Sequence, residues 1–170
     1  MQPSVAVTLK LGLGLGLGMG LALAATSAAL AGQCPADQVL TEPRQIEEAP
    51  DVGVTRPVLH AVDLTGWRGM GSFNLRMRML TVDVGGTVPT HAHDDRPSII
   101  YVVSGEIVEH NSFCAVPIVH KAGDSTPEFG QGHRSWWANK TDQPVVLISA
   151  DVIPVAPKAD AAPMPDPDMP

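Results

Sequence analysis

Two histidines one residue apart, His91 and His93, are the residues of this sequence whose types and spacing could do chemistry. In an extended strand, residues i and i+2 project from the same face, with Cα atoms about 6.5 Å apart. Two imidazoles in that arrangement can bind one metal ion at about 2.0 to 2.1 Å each. The pair alone is a weak signal, because two polar residues often share a strand face, and its meaning depends on the elements that position it.

Alternation of apolar and polar residues is the repeating signal of the chain after residue 50. In "FNLRMRML" this alternation predicts a strand that buries Phe73, Leu75, Met77 and Met79. Turn-forming residues such as Gly85-Gly86 separate this segment from others like it. Many short strands with turns every 8 to 12 residues or so predict an all-β sandwich or barrel. The further predicted strands are 57–63, 80–84, 99–103, 106–110, 116–120, 132–138 and 145–153.

The two ends of the chain differ in composition from this β-rich segment, which we assign as one barrel domain over residues 51–155. Residues 1–31 carry one charged side chain and a Leu/Gly/Ala run that ends in small residues, which predicts a signal peptide cleaved before Gly32. An uncleaved membrane anchor is the alternative. Residues 32–50 are predicted to form an irregular arm, and the Pro/Asp-rich residues 156–170 a disordered tail.

Charge and cysteine content limit the partners and the compartment. The net charge is −7 at pH 7, and Lys and Arg are scattered, so nucleic acid is not an expected partner. Once the signal is cleaved, no membrane contact is expected, and the protein is predicted to be periplasmic or secreted. Cys34 and Cys114 are the only cysteines. In an exported chain they are predicted to form a disulfide, with two unpaired thiols as the alternative.

The segment around the histidine pair resembles the first motif of the cupin superfamily. That motif reads Gly, five residues, His-x-His, three or four residues, Glu, six residues, Gly. This chain has Gly85, five residues, His91-Ala92-His93, four residues, Ser98, six residues and Gly105. Every fixed position matches except the glutamate, where Ser98 stands.

A second cupin motif is matched less well. It reads Gly, five residues, Pro-x-Gly, two residues, His, three residues, Asn, and "GDSTPEFGQGHRSWWAN" resembles it. Phe129 replaces the proline, His133 comes one residue early, and Asn139 follows after five residues rather than three. The resemblance implies a cupin double-stranded β-helix, or jelly-roll barrel, with a divalent metal ion bound by His91, His93 and His133.

The absent glutamate leaves three interpretations open. The first is a true three-histidine centre, which resembles the thiol dioxygenases and the β-diketone-cleaving dioxygenase among cupins. The second is a carboxylate from elsewhere in the chain. The third is a cupin that has lost its metal and uses the pocket for binding or for acid and base chemistry. For the second interpretation, Glu128 is the preferred candidate, and the others are Glu106, Glu109, Asp94 and Asp95.

The resulting hypothesis is an exported mononuclear-metal cupin, an oxidoreductase of the dioxygenase kind that acts on a small anionic or enolisable molecule through a three-histidine centre. Iron is the expected ion, with nickel, copper, manganese and zinc as alternatives. Arg96, Trp136 and Tyr101 are candidate substrate-binding residues, and no catalytic residue is assigned. A non-catalytic small-molecule or metal-binding cupin and a cupin isomerase are the alternative functions. Because "SIIYVV" is apolar on both faces, a homodimer is expected.

Overall fold

The computed structural model describes residues 32–155, so the predicted signal peptide and the predicted C-terminal tail lie outside the described residues. Within that range the chain forms nine strands and one short 3-10 turn, Trp67–Gly69. No helix in residues 32–155 is long and apolar enough to cross a membrane. The strands are β1 Val52–Thr55, β2 Val58–Asp63, β3 Phe73–Ala92, β4 Ser98–Ser104, β5 Glu106–Asn111, β6 Ile118–Lys121, β7 Ser125–Glu128, β8 Arg134–Ala138 and β9 Val145–Pro154.

The sheet is organised around β3, which is 20 residues long. Its first half pairs with β9 and its second half with β8, and the strand order is β6-β5-β8-β3-β9-β4-β7, with β1 and β2 also paired to β3. Because β3 belongs to both halves of the sheet, the sheet curls into a nearly closed barrel. The predicted all-β jelly-roll barrel is confirmed, and each predicted strand overlaps an observed one.

A bend between the two halves of β3 requires glycine. Gly85 has φ +73°, a conformation that side chains other than glycine rarely adopt. A Cβ at Gly86 would lie 2.8 Å from the carbonyl oxygen of Asp83, too close for any other residue. Asn139 fixes the bend from the neighbouring turn, because its side-chain amide donates to the carbonyl oxygens of Val82 and Asp83. The first glycine and the last asparagine of the two motifs therefore meet at one structural feature.

The interior of the barrel is filled by one apolar cluster, but the face of β3 that contributes to it is the opposite of the predicted one. Leu75 and Met77 are 43% and 42% exposed, whereas Leu80 and Val82 are buried. The prediction that Phe73, Leu75, Met77 and Met79 line the core was therefore wrong. The buried members of the cluster are Leu80, Val82, Val88, Ile100, Val102, Ile107, Trp137, Val145 and Leu147.

An ion pair explains the inversion. Arg76 and Arg78 point toward the barrel, where Asp151 of β9 accepts hydrogen bonds from both guanidinium groups at 2.8 to 3.1 Å. Asp151 is 1% exposed, so its charge is fully removed from water and the two arginines compensate it. An alternation of arginine and methionine therefore does not identify the core face when the neighbouring strand carries a buried carboxylate that pairs with the arginines.

The N-terminal arm lies along the β5–β6 side of the barrel. Cys34 and Cys114 form a disulfide with Cα atoms 5.8 Å apart. The backbone of Leu40 donates to the carbonyl oxygen of Phe113, and that of Arg44 to Ser112, both at 2.9 Å. The arm is therefore irregular in secondary structure but is attached to the barrel by a covalent bond and by backbone hydrogen bonds.

Candidate metal centre

A register shift in β3 turns the two histidines into the barrel. Before the shift the even-numbered residues of β3 face the interior, as Val88 does opposite Trp137. The pairing with β8 then slips between Val88 and His91, which pairs with Ser135. The inserted residue moves the inward face to odd-numbered positions. His91 and His93 consequently project inward together, with ring centroids 4.8 Å apart.

Backbone carbonyls fix the protonation of both rings. Nδ1 of His91 lies 2.7 Å from the carbonyl oxygen of Pro89, and Nδ1 of His93 lies 2.9 Å from that of Arg96. Because a carbonyl oxygen only accepts hydrogen bonds, the proton of each neutral ring sits on Nδ1 and Nε2 keeps its lone pair. Metal-binding histidines commonly show this arrangement.

The third histidine precedes β8. His133 is 7% exposed, and its ring centroid lies 5.6 Å from that of His93. Its Nε2 lies 3.4 Å from the side-chain amide nitrogen of Asn111, which can only donate, so this nitrogen also carries a lone pair. Burial lowers the pKa of His91 and of His133, which keeps both rings neutral at pH 7.

Glu128, at the end of β7, brings a carboxylate to these rings. It is 0% exposed, its Oε2 contacts Nε2 of His93, and the same oxygen lies 3.8 Å from Nε2 of His91. The hydroxyl of Ser135 donates to Oε2 at 3.2 Å. Burial alone would raise the pKa of Glu128, but the surrounding His93, His91 and His133 hold it below its ordinary value. Glu128 is therefore an ionised carboxylate inside the barrel.

The strand pairing explains why Ser98 can replace the expected glutamate. Ser98 and Glu128 are direct partners across β4 and β7, and both are buried. Side chains at such paired positions start from Cβ atoms about 4.5 to 5.5 Å apart. The hydroxyl of Ser98 lies 3.3 Å from Nδ1 of His93, behind the ring, while Glu128 reaches its Nε2 edge. The carboxylate is supplied by the neighbouring strand.

Of the other candidate carboxylates in the described residues, Glu109 brings an oxygen within 4.8 Å of ligand atoms of Glu128 and His133. Asp94 accepts a hydrogen bond from the backbone of Gly132 in an exposed loop, and Glu106 pairs with Lys121 at the surface. Glu109 is buried within the barrel, but both of its oxygens have partners, the amide of Asn111 at 2.6 Å and Nε2 of His120 at 2.7 Å. Burial raises the pKa of Glu109, although His120 and Asn111 oppose the increase.

The cluster fits a metal ion on the chemistry of its donor atoms. His91, His93 and Glu128 bring ligand atoms within 4.8 Å of one another. Nε2 of His93 and Oε1 of Glu128 are buried without a hydrogen-bond partner among residues 32–155. The attraction that lowers the pKa of Glu128 needs a positive charge at this contact, either a proton on the ring nitrogen or a metal ion in its place. Imidazole and carboxylate are ordinary ligands of zinc, manganese, iron and nickel.

The chain forms a jelly-roll barrel in which Gly85 and Asn139 fix the bend of β3. Two histidines at the end of the bulged β3, a third histidine before β8 and one carboxylate lie in its interior. This is the cupin fold. The barrel interior holds the three histidines that the motifs predicted, and Glu128 is shared by two sets of neighbouring ligand atoms, one with His91 and His93 and the other with Glu109 and His133.

Solved structures resemble this cupin barrel at the level of fold. A conserved double-stranded β-helix protein from Klebsiella pneumoniae shares 20% identity over 65% of this chain and 90% of its own, with a TM-score of 0.47. A Cupin 2 conserved barrel protein from Salinispora arenicola shares 18% identity over 65% of this chain and 87% of its own, with a TM-score of 0.44.

A Bacillus halodurans protein shares 15% identity over 49% of this chain, which spans 65% of that protein's length, with a TM-score of 0.43. No family model matches the chain, and no curated protein matches it either. These likenesses concern the fold and give no information on the metal or the substrate.

The three predicted substrate-binding residues are separated by the cupin barrel. Arg96 lines the interior cavity beside His91 and His93. Trp136 lies on the outer face, where its ring stacks on His110 at a centroid distance of 3.8 Å. Tyr101 is 45% exposed on the outer face of β4. The assignments of Trp136 and Tyr101 to a substrate pocket are therefore not supported, because strand alternation turns both away from it.

Two residues that line the cavity, Trp137 and Arg78, were not predicted to do so from the sequence. Trp137, next to Trp136, is the tryptophan that faces the interior, and its indole N–H donates to the hydroxyl of Ser135 at 3.4 Å. Arg78 also reaches the cavity. The sequence of two adjacent tryptophans does not indicate which of them faces inward. The alternation in "FNLRMRML" predicts Arg78 on the solvent side of β3, opposite to its observed position.

Proposed function

We propose that this chain is an exported cupin with a mononuclear metal centre on His91, His93, His133 and Glu128, and that it is an oxidoreductase for a small anionic or enolisable molecule. The observation that supports the metal centre is that Nε2 of His93 and Nε2 of His91 both lie beside one buried carboxylate oxygen of Glu128. The disulfide between Cys34 and Cys114 supports export, since such bonds persist in oxidising compartments.

The residues around the centre have separate tasks. Pro89 and Arg96 orient the rings of His91 and His93 through their carbonyl oxygens, and Ser135 orients Glu128. Second-layer hydrogen bonds of this kind typically change metal affinity about 10- to 100-fold when they are removed. Apolar side chains such as Leu80, Ile100 and Leu147 line the same cavity and keep bulk water away from it.

When bound, a redox-active ion such as iron would supply Lewis acidity and a position for dioxygen. Three neutral imidazoles and one carboxylate offset only one of two positive charges. The chain's own contribution is therefore a site that attracts an anion, in which Glu128 sets the net charge. An ionised or enolisable substrate gains from that field more than a neutral one does.

The experiment is metal analysis of the protein isolated from the exported fraction, followed by oxygen uptake with small thiols, β-diketones and flavonoids. We expect one metal ion per chain, lost in His93→Ala and in His133→Ala. His60→Ala is the matched control, because His60 is an exposed histidine of β2 that does not touch the cluster. Wild-type protein that binds no metal would refute the centre, and a loaded protein without oxygen uptake would refute the oxidoreductase assignment.

A non-catalytic binding protein is the second candidate, and the size of the interior favours it. The cavity beside the histidines has a volume of about 30 Å³. That is room for about two water-sized groups and not for a whole drug-sized molecule. A loaded protein that captures a small ion and consumes no oxygen would support this function.

A further inference from the structure

The cavity beside the candidate metal centre is lined by positive as well as by metal-binding groups. Arg78 from β3 and Arg96 from the loop before β4 share it with His91, His93 and Glu128. Its volume of about 30 Å³ is space for about two water-sized groups. Two guanidinium groups at a small interior cavity are costly unless they have acceptors for their donors.

Both arginines that line this cavity have a buried donor without a partner. Nε of Arg78 and Nε of Arg96 are buried and have no hydrogen-bond partner in the described part of the chain. The partners of Arg78 are reached through Nη2, which donates to Asp151 at 3.1 Å and to Ser149 at 3.2 Å. The ion pair therefore satisfies one end of the Arg78 fork and leaves the Nε side without an acceptor.

Charge is also out of balance around the cavity. Three guanidinium groups, those of Arg76, Arg78 and Arg96, lie near two carboxylates, Asp151 and Glu128. Burial lowers the pKa of Arg78 from its ordinary value, and the charges of Arg76 and Arg96 add to this while Asp151 opposes it. A divalent ion on the histidines would increase the excess of positive charge. A monovalent anion would cancel the excess of the metal-free protein and reduce that of the metal-bound protein.

We propose that Arg78 and Arg96 form a carboxylate-binding subsite next to the metal centre, and that the ligand is a short-chain carboxylate. The two oxygens of a carboxylate match both the space for two water-sized groups and the two free Nε donors. A planar carboxylate also suits the donor geometry of guanidinium. That the carboxylate belongs to a substrate of the metal centre rests on the function proposed above, whereas the anion site itself does not.

The shape of the cavity restricts the ligand. Its remaining walls are apolar and include Leu80, Ile100 and Leu147. The small volume leaves no space for a branched chain beside the carboxylate, and a tetrahedral phosphate would have to place two further charged oxygens against these apolar walls. The subsite therefore selects formate and acetate over phosphate and over branched acids such as pivalate.

The test is calorimetric titration of acetate into the full chain, with and without bound metal. We expect saturable binding by the wild type in both forms, and an affinity at least about tenfold lower in Arg96→Gln, since hydrogen bonds to charged groups are strong. Arg78→Lys keeps the charge and the pairing with Asp151 but loses Nε, and should be weakened in the same way. Pivalate and phosphate should not compete.

Arg76→Gln is the matched control, because Arg76 pairs with Asp151 as Arg78 does but does not line the cavity. Its acetate affinity should equal that of the wild type. The proposal is overturned if the wild type shows no saturable acetate binding, or if Arg96→Gln and Arg76→Gln behave alike. Acetate binding to a protein that takes up no metal would leave this subsite standing and refute only the metal centre.

Discussion

The exchange of Ser98 and Glu128 across β4 and β7 allows a rescue experiment. In Glu128→Ser the cluster loses its one anionic donor. Removal of residues that merely orient a ligand costs about 10- to 100-fold in metal affinity, so loss of the carboxylate itself should cost at least about 100-fold, or about 2.8 kcal/mol. The double variant Ser98→Glu with Glu128→Ser returns a carboxylate to the partner position, from a Cβ about 4.5 to 5.5 Å away.

We expect the double variant to recover at least about tenfold of the lost affinity, because both positions are buried and the side chains at both contact the ring of His93. Recovery should be incomplete, since the hydrogen bond from Ser135 would be missing. The assay is calorimetric titration of Ni²⁺ into metal-free protein. Ser98→Glu alone is the control, and it should not bind more tightly than wild type, because two carboxylates would compete for one position.

Thermal unfolding of each metal-free variant checks that the barrel is intact. If Glu128→Ser binds Ni²⁺ as tightly as wild type, the carboxylate is not a ligand and the three-histidine interpretation is correct. If Glu128→Ser loses affinity but the double variant recovers none, the two positions are not equivalent in space, and the account of the missing motif glutamate given above is wrong.

Three other predictions follow from the barrel. Asp151→Asn leaves Arg78 buried without its counter-charge and should lower the free energy of unfolding by about 3 to 5 kcal/mol in urea titrations. Burial lowers the pKa of His91 and of His133, so protons compete with a metal ion only at a lower pH than for an exposed histidine, and bound metal should stay at pH 7 and be released on acidification, measured by dialysis. Tyr101→Asp should dissociate the predicted homodimer in light scattering, whereas a wild-type monomer would contradict the dimer.

The sequence was sufficient for the features that depend on local pattern. Strand positions follow from period two, and the Gly85-Gly86 turn signal marks the bend in β3, where Gly85 has a positive φ. The histidines were identified because the His-x-His spacing is visible in the sequence. The register shift in β3 that turns both rings inward is not visible there. Each of these signals lies within a few residues of the feature it specifies.

The features that were missed depend on which strands become neighbours. Arg78 faces inward because Asp151 lies on the adjacent strand, 73 positions away. Nothing in "FNLRMRML" records that partner, and without it the alternation favours the methionine face. The orientation of an amphipathic strand is thus fixed by the polar groups its neighbours offer as well as by its own apolar residues.

The same reasoning applies to the glutamate that the first motif lacks. A metal ion requires a carboxylate at a point in space, and two cross-strand positions, 98 and 128, can reach that point. When the motif is read along one strand, Ser98 indicates that a ligand has been lost. In the folded barrel, Glu128 of β7 supplies the carboxylate instead. The predicted charge of the centre changes accordingly, because an ionised Glu128 reduces it by one relative to a three-histidine site. An incomplete motif in a closed barrel therefore has to be tested against the residues paired with the missing position before a change in chemistry is inferred.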